Sequence, residues 1–314
     1  MVSKYNAVIP QSGDPVNEAD EAALAPSPPS SAGVALFPQG EGGGCTCGGQ
    51  SQSTGEKTPP SYIYALGKIE MRFPSPAVEK EFAQATGRAE TAGLTDQRAA
   101  HAVLSQRPNR YLARRVCWVM TIEGVETYIL RPMDPGDFDL LLEAVRADPR
   151  PTDADVVIGV RGPIAPPEMC NGLLVPIVGF VQLYSFNADE LIKSIPRPEK
   201  MAAEQFEPAS RELFDRIMQM ADNAGATDEH RALNYLAVRY PAIYAQATEM
   251  FGRNFSLSSV QVIPSRLSGT RKVVSVVFSF TNRQTDVTEK YFVRVDVTEE
   301  FPFLVTKLSP YYDR

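Results

Sequence analysis

The hydrophobic pattern changes along the chain and divides it into three parts. Residues 1–61 show no hydrophobic period, whereas residues 62–200 mix short apolar runs of strand composition with short amphipathic segments. Residues 201–314 begin with apolar positions at helical spacing and end with strict apolar and polar alternation. We therefore predict an α+β fold in which a mixed α/β lobe precedes a helical pair packed on an antiparallel β-meander.

The middle part combines strand and helix signals. Ser75-Pro76 is a good helix entry, and Glu123-Gly124 between two apolar runs predicts a β-hairpin. Asn187 is placed to cap a short helix. Three further apolar runs predict strands, at residues 62–73, 154–162 and 172–186, and the last two strands should be well buried.

The last part begins with a proline-spaced segment, residues 195–210, which indicates an interdomain connector. An amphipathic helix should follow, and then one or two helices that break near Pro241. The alternating stretches 272–280 and 289–297 predict neighbouring antiparallel strands with one dry face and one wet face.

Composition sets the first part apart from the rest. Residues 1–61 are rich in Pro, Gly and Ser and cannot bury enough apolar surface to offset their ordering entropy, so we predict a disordered tail. The tail has six acidic residues and two lysines, a net charge of −4. The whole chain carries −7, which leaves −3 for residues 62–314. This balance gives no electrostatic footprint for nucleic acid or an anionic membrane.

No targeting or membrane segment is evident in the sequence. The N-terminus lacks the apolar core of a signal peptide, and the longest apolar run, residues 173–180, is far shorter than the ~20 residues that span a bilayer. We therefore expect a cytoplasmic protein. Its four cysteines are then expected to be reduced thiols.

Common catalytic motifs are missing from the sequence. The glycine-rich stretch at 42–49 lacks the lysine and the preceding strand of a phosphate-binding loop, and no G-x-S-x-G nucleophile motif occurs. The two histidines, His101 and His230, both fall in predicted helices, where an ordinary helical role is expected.

The cysteines allow several interpretations. Cys45 and Cys47 form a C-x-C pair, whereas structural zinc sites usually use C-x₂₋₄-C pairs with two further ligands. Cys117 lies in a predicted strand and suits a small buried hydrophobic position. Cys170 lies in a loop and is the better candidate ligand or reactive thiol. No cofactor is required, and a structural zinc ion held by these cysteines is one hypothesis.

One loop, residues 159–172, is dense in polar and stiffening residues. It contains three prolines and displays Arg161, Glu168 and Asn171 beside Cys170. Prolines lower the ordering entropy of a loop, which favours a preformed binding surface made by these three side chains. The alternative is a rigid crossover in which Arg161 and Glu168 form a structural ion pair.

Three long stretches carry a family resemblance: residues 64–88, 156–178 and, above all, 265–314. They are similar to the C-terminal region of the PatG and PatA cyanobactin maturation proteins, where a domain of unknown function follows subtilisin-like proteases that process ribosomally made precursor peptides. The chain has no Asp, His and Ser set in subtilisin-type contexts. The resemblance therefore implies a free-standing accessory domain without protease activity.

The resemblance and the missing catalytic motifs together favour an interaction module in peptide maturation. Such a module would bind a precursor peptide or a partner protease or modifying enzyme, with an edge of the C-terminal meander accepting an extended peptide. One alternative is an enzyme that uses Cys170 with Arg161, Glu168 or Asn171. The other is a structural scaffold that forms a homodimer and is stapled by zinc.

Overall fold

Five strands of the first half close into a barrel. The computed structural model describes residues 60–86, 96–195, 203–219, 222–266 and 269–312, so the predicted disordered tail lies outside the described residues except for its last two positions. The barrel strands are β1 (Ser61–Arg72), β2 (Cys117–Ile122), β3 (Val125–Pro132), β4 (Asp153–Ile164) and β5 (Pro176–Asn187). Their order around the barrel is β1-β2-β3-β5-β4.

The predicted hairpin at Glu123-Gly124 is confirmed as the β2–β3 turn, and both residues have positive φ angles as a tight turn requires. The neighbouring pairs in the barrel are antiparallel apart from β3 and β5, which run parallel and close it. The interior is filled by side chains that alternate along the strands. They include Ile63, Ile69, Trp118, Met120, Leu130, Val157, Val178 and Phe180.

Short helices pack on the same core. They are α1 (Pro76–Ala85), α2 (Asp96–Leu104), α3 (Phe138–Ala144) and a 3₁₀ helix at Arg107–Arg114. A further short helix, α4 (Ala188–Ser194), packs instead on the core of the second half. The predicted caps are present, because Ser75 accepts from the Val78 amide and Asn187 accepts from the amides of Asp189 and Glu190.

The second half places three helices against a four-stranded sheet. The helices are α5 (Ala203–Met218), α6 (Asp228–Arg239) and α7 (Ala242–Gly252), and the predicted break at Pro241 separates α6 from α7. The sheet has the order β6 (Phe255–Pro264), β7 (Val273–Asn282), β8 (Thr288–Asp296) and β9 (Phe303–Pro310), with antiparallel pairing throughout. Among the described residues, no helix is long and apolar enough to cross a membrane.

Two sequence predictions for this half are wrong. The connector predicted for 195–210 is too long, since α5 already begins at Ala203 and carries Pro208 inside it. The β7 face that was predicted to be exposed to solvent is also buried, since Ser275 and Ser279 are only 6% and 5% exposed. In the sheet register these serines lie opposite long side chains of β8, and the centre of a sheet is covered by such neighbours.

Buried amides join the two halves. Asn223 and Asn234 hydrogen-bond to each other through both amide groups, and Asn234 Nδ2 also donates to the Tyr64 carbonyl oxygen at 2.8 Å. The Tyr64 amide donates to the Gly225 carbonyl oxygen at 2.9 Å. Residues Pro59–Arg314 form one compact unit, and a domain boundary near residue 200 stays a prediction.

Candidate functional site

Among the described residues, no strand pairs with the outer edge of β6. β6 pairs with β7 alone within the described chain, and the Ser265 amide donates to the Val273 carbonyl oxygen at 2.8 Å. Hydrogen-bonded and non-hydrogen-bonded pairs alternate in antiparallel sheets, so the peptide groups of Val260 and Val262 point away from β7. No described residue forms a hydrogen bond to the outward peptide groups of Val260 and Val262.

The opposite edge of the sheet, β9, is partly closed by tyrosine hydroxyls. The Leu308 amide donates to the Tyr240 hydroxyl at 3.0 Å, and the Tyr235 hydroxyl is hydrogen-bonded to the Leu304 backbone. Tyr235 lies in α6 and Tyr240 is its C-cap residue, so these contacts obstruct strand pairing at Leu304 and Leu308. The two edges of the sheet are therefore not equivalent.

A groove lies beside the β6 edge. It has a volume of about 520 Å³ and is lined by Arg216 and Gln219 from the end of α5 and by Leu257, Ser259 and Val260 of β6. We call it the α5–β6 groove. Half of the Arg216 side chain is exposed, and its guanidinium lies 3.9 Å from the Glu212 carboxylate, so this cation is only weakly paired.

The residues beside the α5–β6 groove, along α5, are apolar. A tight crevice continues along α5 and is lined by Leu213, Phe251, Phe255 and Phe280, among others. This crevice is closed, because Leu213, Phe255 and Phe280 are buried. The site therefore offers an extended peptide unpaired peptide groups and one cation.

The structure places the predicted binding residues elsewhere. Arg161, Glu168 and Asn171 are exposed on the barrel and do not line the α5–β6 groove. No ion pair joins Arg161 to Glu168 in the part of the chain that the structure describes. Burial raises the pKa of Tyr128, and the charge of Arg161 opposes that shift, so Arg161 lies near the Tyr128 phenol.

Cys117 and Cys170 are joined by a disulfide, with 6.0 Å between their Cα atoms. The expectation that these two cysteines are reduced thiols is therefore wrong for this structure. Because the Cys170 sulfur is bonded and fully buried, it cannot serve as a nucleophile in this state. Cys45 and Cys47 lie outside the described residues.

No group of three or more His, Cys, Asp or Glu side chains able to hold a metal ion occurs among the described residues. Zinc binding by Cys117 and Cys170 would require the reduced pair, and zinc binding by Cys45 and Cys47 falls on undescribed residues. The predicted structural zinc therefore stays a prediction.

One buried carboxyl group has a strongly shifted pKa. Asp155 of β4 is 3% exposed, and desolvation raises its pKa to about 6. Three interactions oppose this shift by favouring the carboxylate: the Ser185 hydroxyl donates at 2.5 Å, the Ile69 amide donates at 2.9 Å, and the Arg146 guanidinium lies 3.8 Å away. The group ties β4 to β1 and β5, so we assign it a structural role.

Comparisons with known proteins agree with the resemblance predicted from the sequence. Residues 200–311 match the family model described as PatG C-terminal. A solved structure entitled "PatG Domain of Unknown Function" is similar to the chain with a TM-score of 0.66 and 19% sequence identity, covering 80% of this chain and 98% of that one. None of the curated proteins matches the sequence.

Proposed function

We propose that this chain, with a matching PatG C-terminal region at residues 200–311 and the fold of a PatG domain of unknown function, is a recognition module in the maturation of ribosomally made peptides. It binds an extended segment of a precursor peptide along β6, in the α5–β6 groove. The observation that carries this proposal is the unpaired edge at Val260 and Val262, of which Val260 lines that groove. The cyanobactin setting rests on the family resemblance.

Strand addition suits a module that must accept varied precursor sequences, because main-chain hydrogen bonds do not depend on side chains. The peptide groups of Val260 and Val262 offer up to four such bonds. At about 1 kcal/mol net for each bond, they contribute about 4 kcal/mol. This only reaches the lower end of the cost of association, which is about 4–15 kcal/mol, so contacts in the groove must supply the remaining affinity.

Arg216 and the other side chains that line the α5–β6 groove are the candidates for those contacts. An extended peptide presents alternate side chains to the same face every two residues. Side chains on the groove side would meet the half-exposed guanidinium of Arg216 and the half-buried side chain of Val260. A second copy of this chain pairing through its own β6 is the competing occupant.

The test is a binding measurement with overlapping synthetic peptides that cover ribosomally made precursor peptides of the same genome. Fluorescence anisotropy with the full chain gives Kd for each peptide. Val260→Pro removes one outward amide, which an edge strand tolerates, and should weaken binding about tenfold or more because a main-chain hydrogen bond and close approach are lost.

Val260→Thr is the matched control, because it keeps the amide and the β-branched shape and should bind within about twofold of the parent chain. Equal Kd values for the proline and threonine variants would refute strand addition at β6. If light scattering shows a dimer that Val260→Pro dissociates and no peptide binds, a second copy is the occupant and the peptide proposal fails.

A further inference from the structure

We propose that the Cys117–Cys170 disulfide is a redox-controlled clasp that holds the β4–β5 loop, residues 165–175, against the barrel. Cys117 is the first residue of β2, and Cys170 is near the middle of the loop, 53 positions further along the chain. The bond therefore ties a segment between two strands to the outside of a third strand.

The hydrogen bonds of the β4–β5 loop stay inside the loop within the described chain. The Met169 amide donates to the Pro166 carbonyl oxygen, the Gly172 amide to that of Pro167 and the Leu173 amide to that of Cys170. The Ala165 amide closes the base of the loop by donating to the Val175 carbonyl oxygen at 2.9 Å. These bonds shape the loop without attaching it to β2.

Two other contacts do reach the barrel. The Met169 carbonyl oxygen lies 3.4 Å from Cys117 Sγ, and the loop contributes to a small apolar cluster on the outside of the barrel. The members of this cluster are Cys117, Val119, Ile129, Ala165, Cys170 and Ile177, with Met169, Leu173 and Val175 half-buried beside them. Without the disulfide, these two contacts are the ones among the described residues that would hold the loop.

The chemistry of opening is thiol–disulfide exchange with a dithiol reductant. Its first thiolate attacks one of the two sulfur atoms and forms a mixed disulfide, and its second thiol then displaces the protein thiol. Two electrons and two protons pass to the protein, which leaves Cys117 and Cys170 as thiols and the reductant as a disulfide. Cys170 is fully buried and Cys117 is 6% exposed, so the attack requires a local fluctuation that uncovers one of the two sulfur atoms.

The redox state of the Cys117–Cys170 pair also affects the exposed surface of the loop. Glu168 and Asn171 are exposed on either side of Cys170, and Asn171 and Gly172 have positive φ angles. The disulfide holds these side chains in one arrangement, while the reduced loop samples others. Redox state therefore decides whether the loop presents one fixed polar surface.

Hydrogen exchange measured by mass spectrometry tests the clasp. The full chain carries Cys45→Ser and Cys47→Ser, so that only the Cys117–Cys170 pair reacts, and is compared as oxidised and as dithiothreitol-reduced protein. Amides of the loop should exchange about tenfold or more faster after reduction, while amides of β7 and β8 change by less than about twofold. Cys117→Ser in the same background should reproduce the reduced pattern without reductant.

Reoxidation of the reduced protein should restore slow exchange in the loop. Three results would overturn the proposal. They are two free thiols in the protein as isolated without reductant, equal loop exchange in the two redox states, and a uniform increase over the whole chain, which would mean that the bond only raises global stability.

Discussion

Gly225→Ala should destabilise the protein strongly, because Gly225 lies at the joint between the two halves. Its φ of +71° is a left-handed conformation that costs a residue with a Cβ about 1–2 kcal/mol. A Cβ built at this position would also lie 2.4 Å from the Tyr64 carbonyl oxygen and 2.6 Å from the Ala65 Cα, so backbone atoms must move. Such overpacking costs about 1–3 kcal/mol.

The shift would also lengthen the hydrogen bond from the Tyr64 amide to the Gly225 carbonyl oxygen, which contributes about 1 kcal/mol. We therefore expect a loss of about 3–6 kcal/mol in the free energy of unfolding, a large part of the ~5–15 kcal/mol of a typical domain. Urea unfolding monitored by the fluorescence of Trp118, the only tryptophan, measures this loss.

Gly124→Ala is the matched control. Gly124 has a similar φ of +80°, but a Cβ there would have no atom within 4 Å, so only the conformational cost of about 1–2 kcal/mol applies. The difference between the two variants isolates the steric cost at the joint. Equal losses in the two variants would refute the close packing of Gly225 against β1.

Two further predictions concern buried polar groups. Asn234→Ala should cost about 2–4 kcal/mol in urea unfolding, since it leaves buried groups of Asn223 and Tyr64 without partners; a loss below about 0.5 kcal/mol would contradict this buried network. The pKa of Asp155 is about 6 in the folded protein and 3.8 ordinarily, so the folded state binds the proton more tightly. Its contribution to stability is present below pH 3.8 and is lost as the pH rises to 6, by up to about 3 kcal/mol. Asp155→Asn should flatten this part of the pH profile, and an unchanged profile would contradict the shift.

Most of the candidate site could not be predicted from the sequence. A general expectation that a meander edge accepts a peptide could be stated from the alternating strands, but the sequence contains no signal that singles out Val260 or Val262. Whether an edge is open depends on what packs beside it. Tyr235 and Tyr240 close β9 from α6, far away along the chain, while β6 faces a groove.

Three features of the fold could be predicted from the sequence because each follows from local physical chemistry. The β2–β3 hairpin follows from Glu123-Gly124, the start of α1 from Ser75-Pro76, and the break between α6 and α7 from Pro241. Each of these signals acts within a few residues, through positive φ angles, capping bonds or a missing amide. The family resemblance is also a property of the sequence, because it rests on long stretches of residues similar to PatG proteins.

The features that join distant positions could not be predicted from the sequence and depend on the tertiary structure. The parallel pairing of β3 with β5 closes the barrel, the Cys117–Cys170 bond spans 53 positions, and the pairing of Asn223 and Asn234 ties the second half to β1 at Tyr64. Burial of the serine-bearing face of β7 likewise depends on the long side chains of β8. Hydrophobic periodicity states which face of an element is apolar, but not which other element covers it or which edge stays open. Those outcomes are set by packing between segments far apart in sequence, and therefore by the fold as a whole.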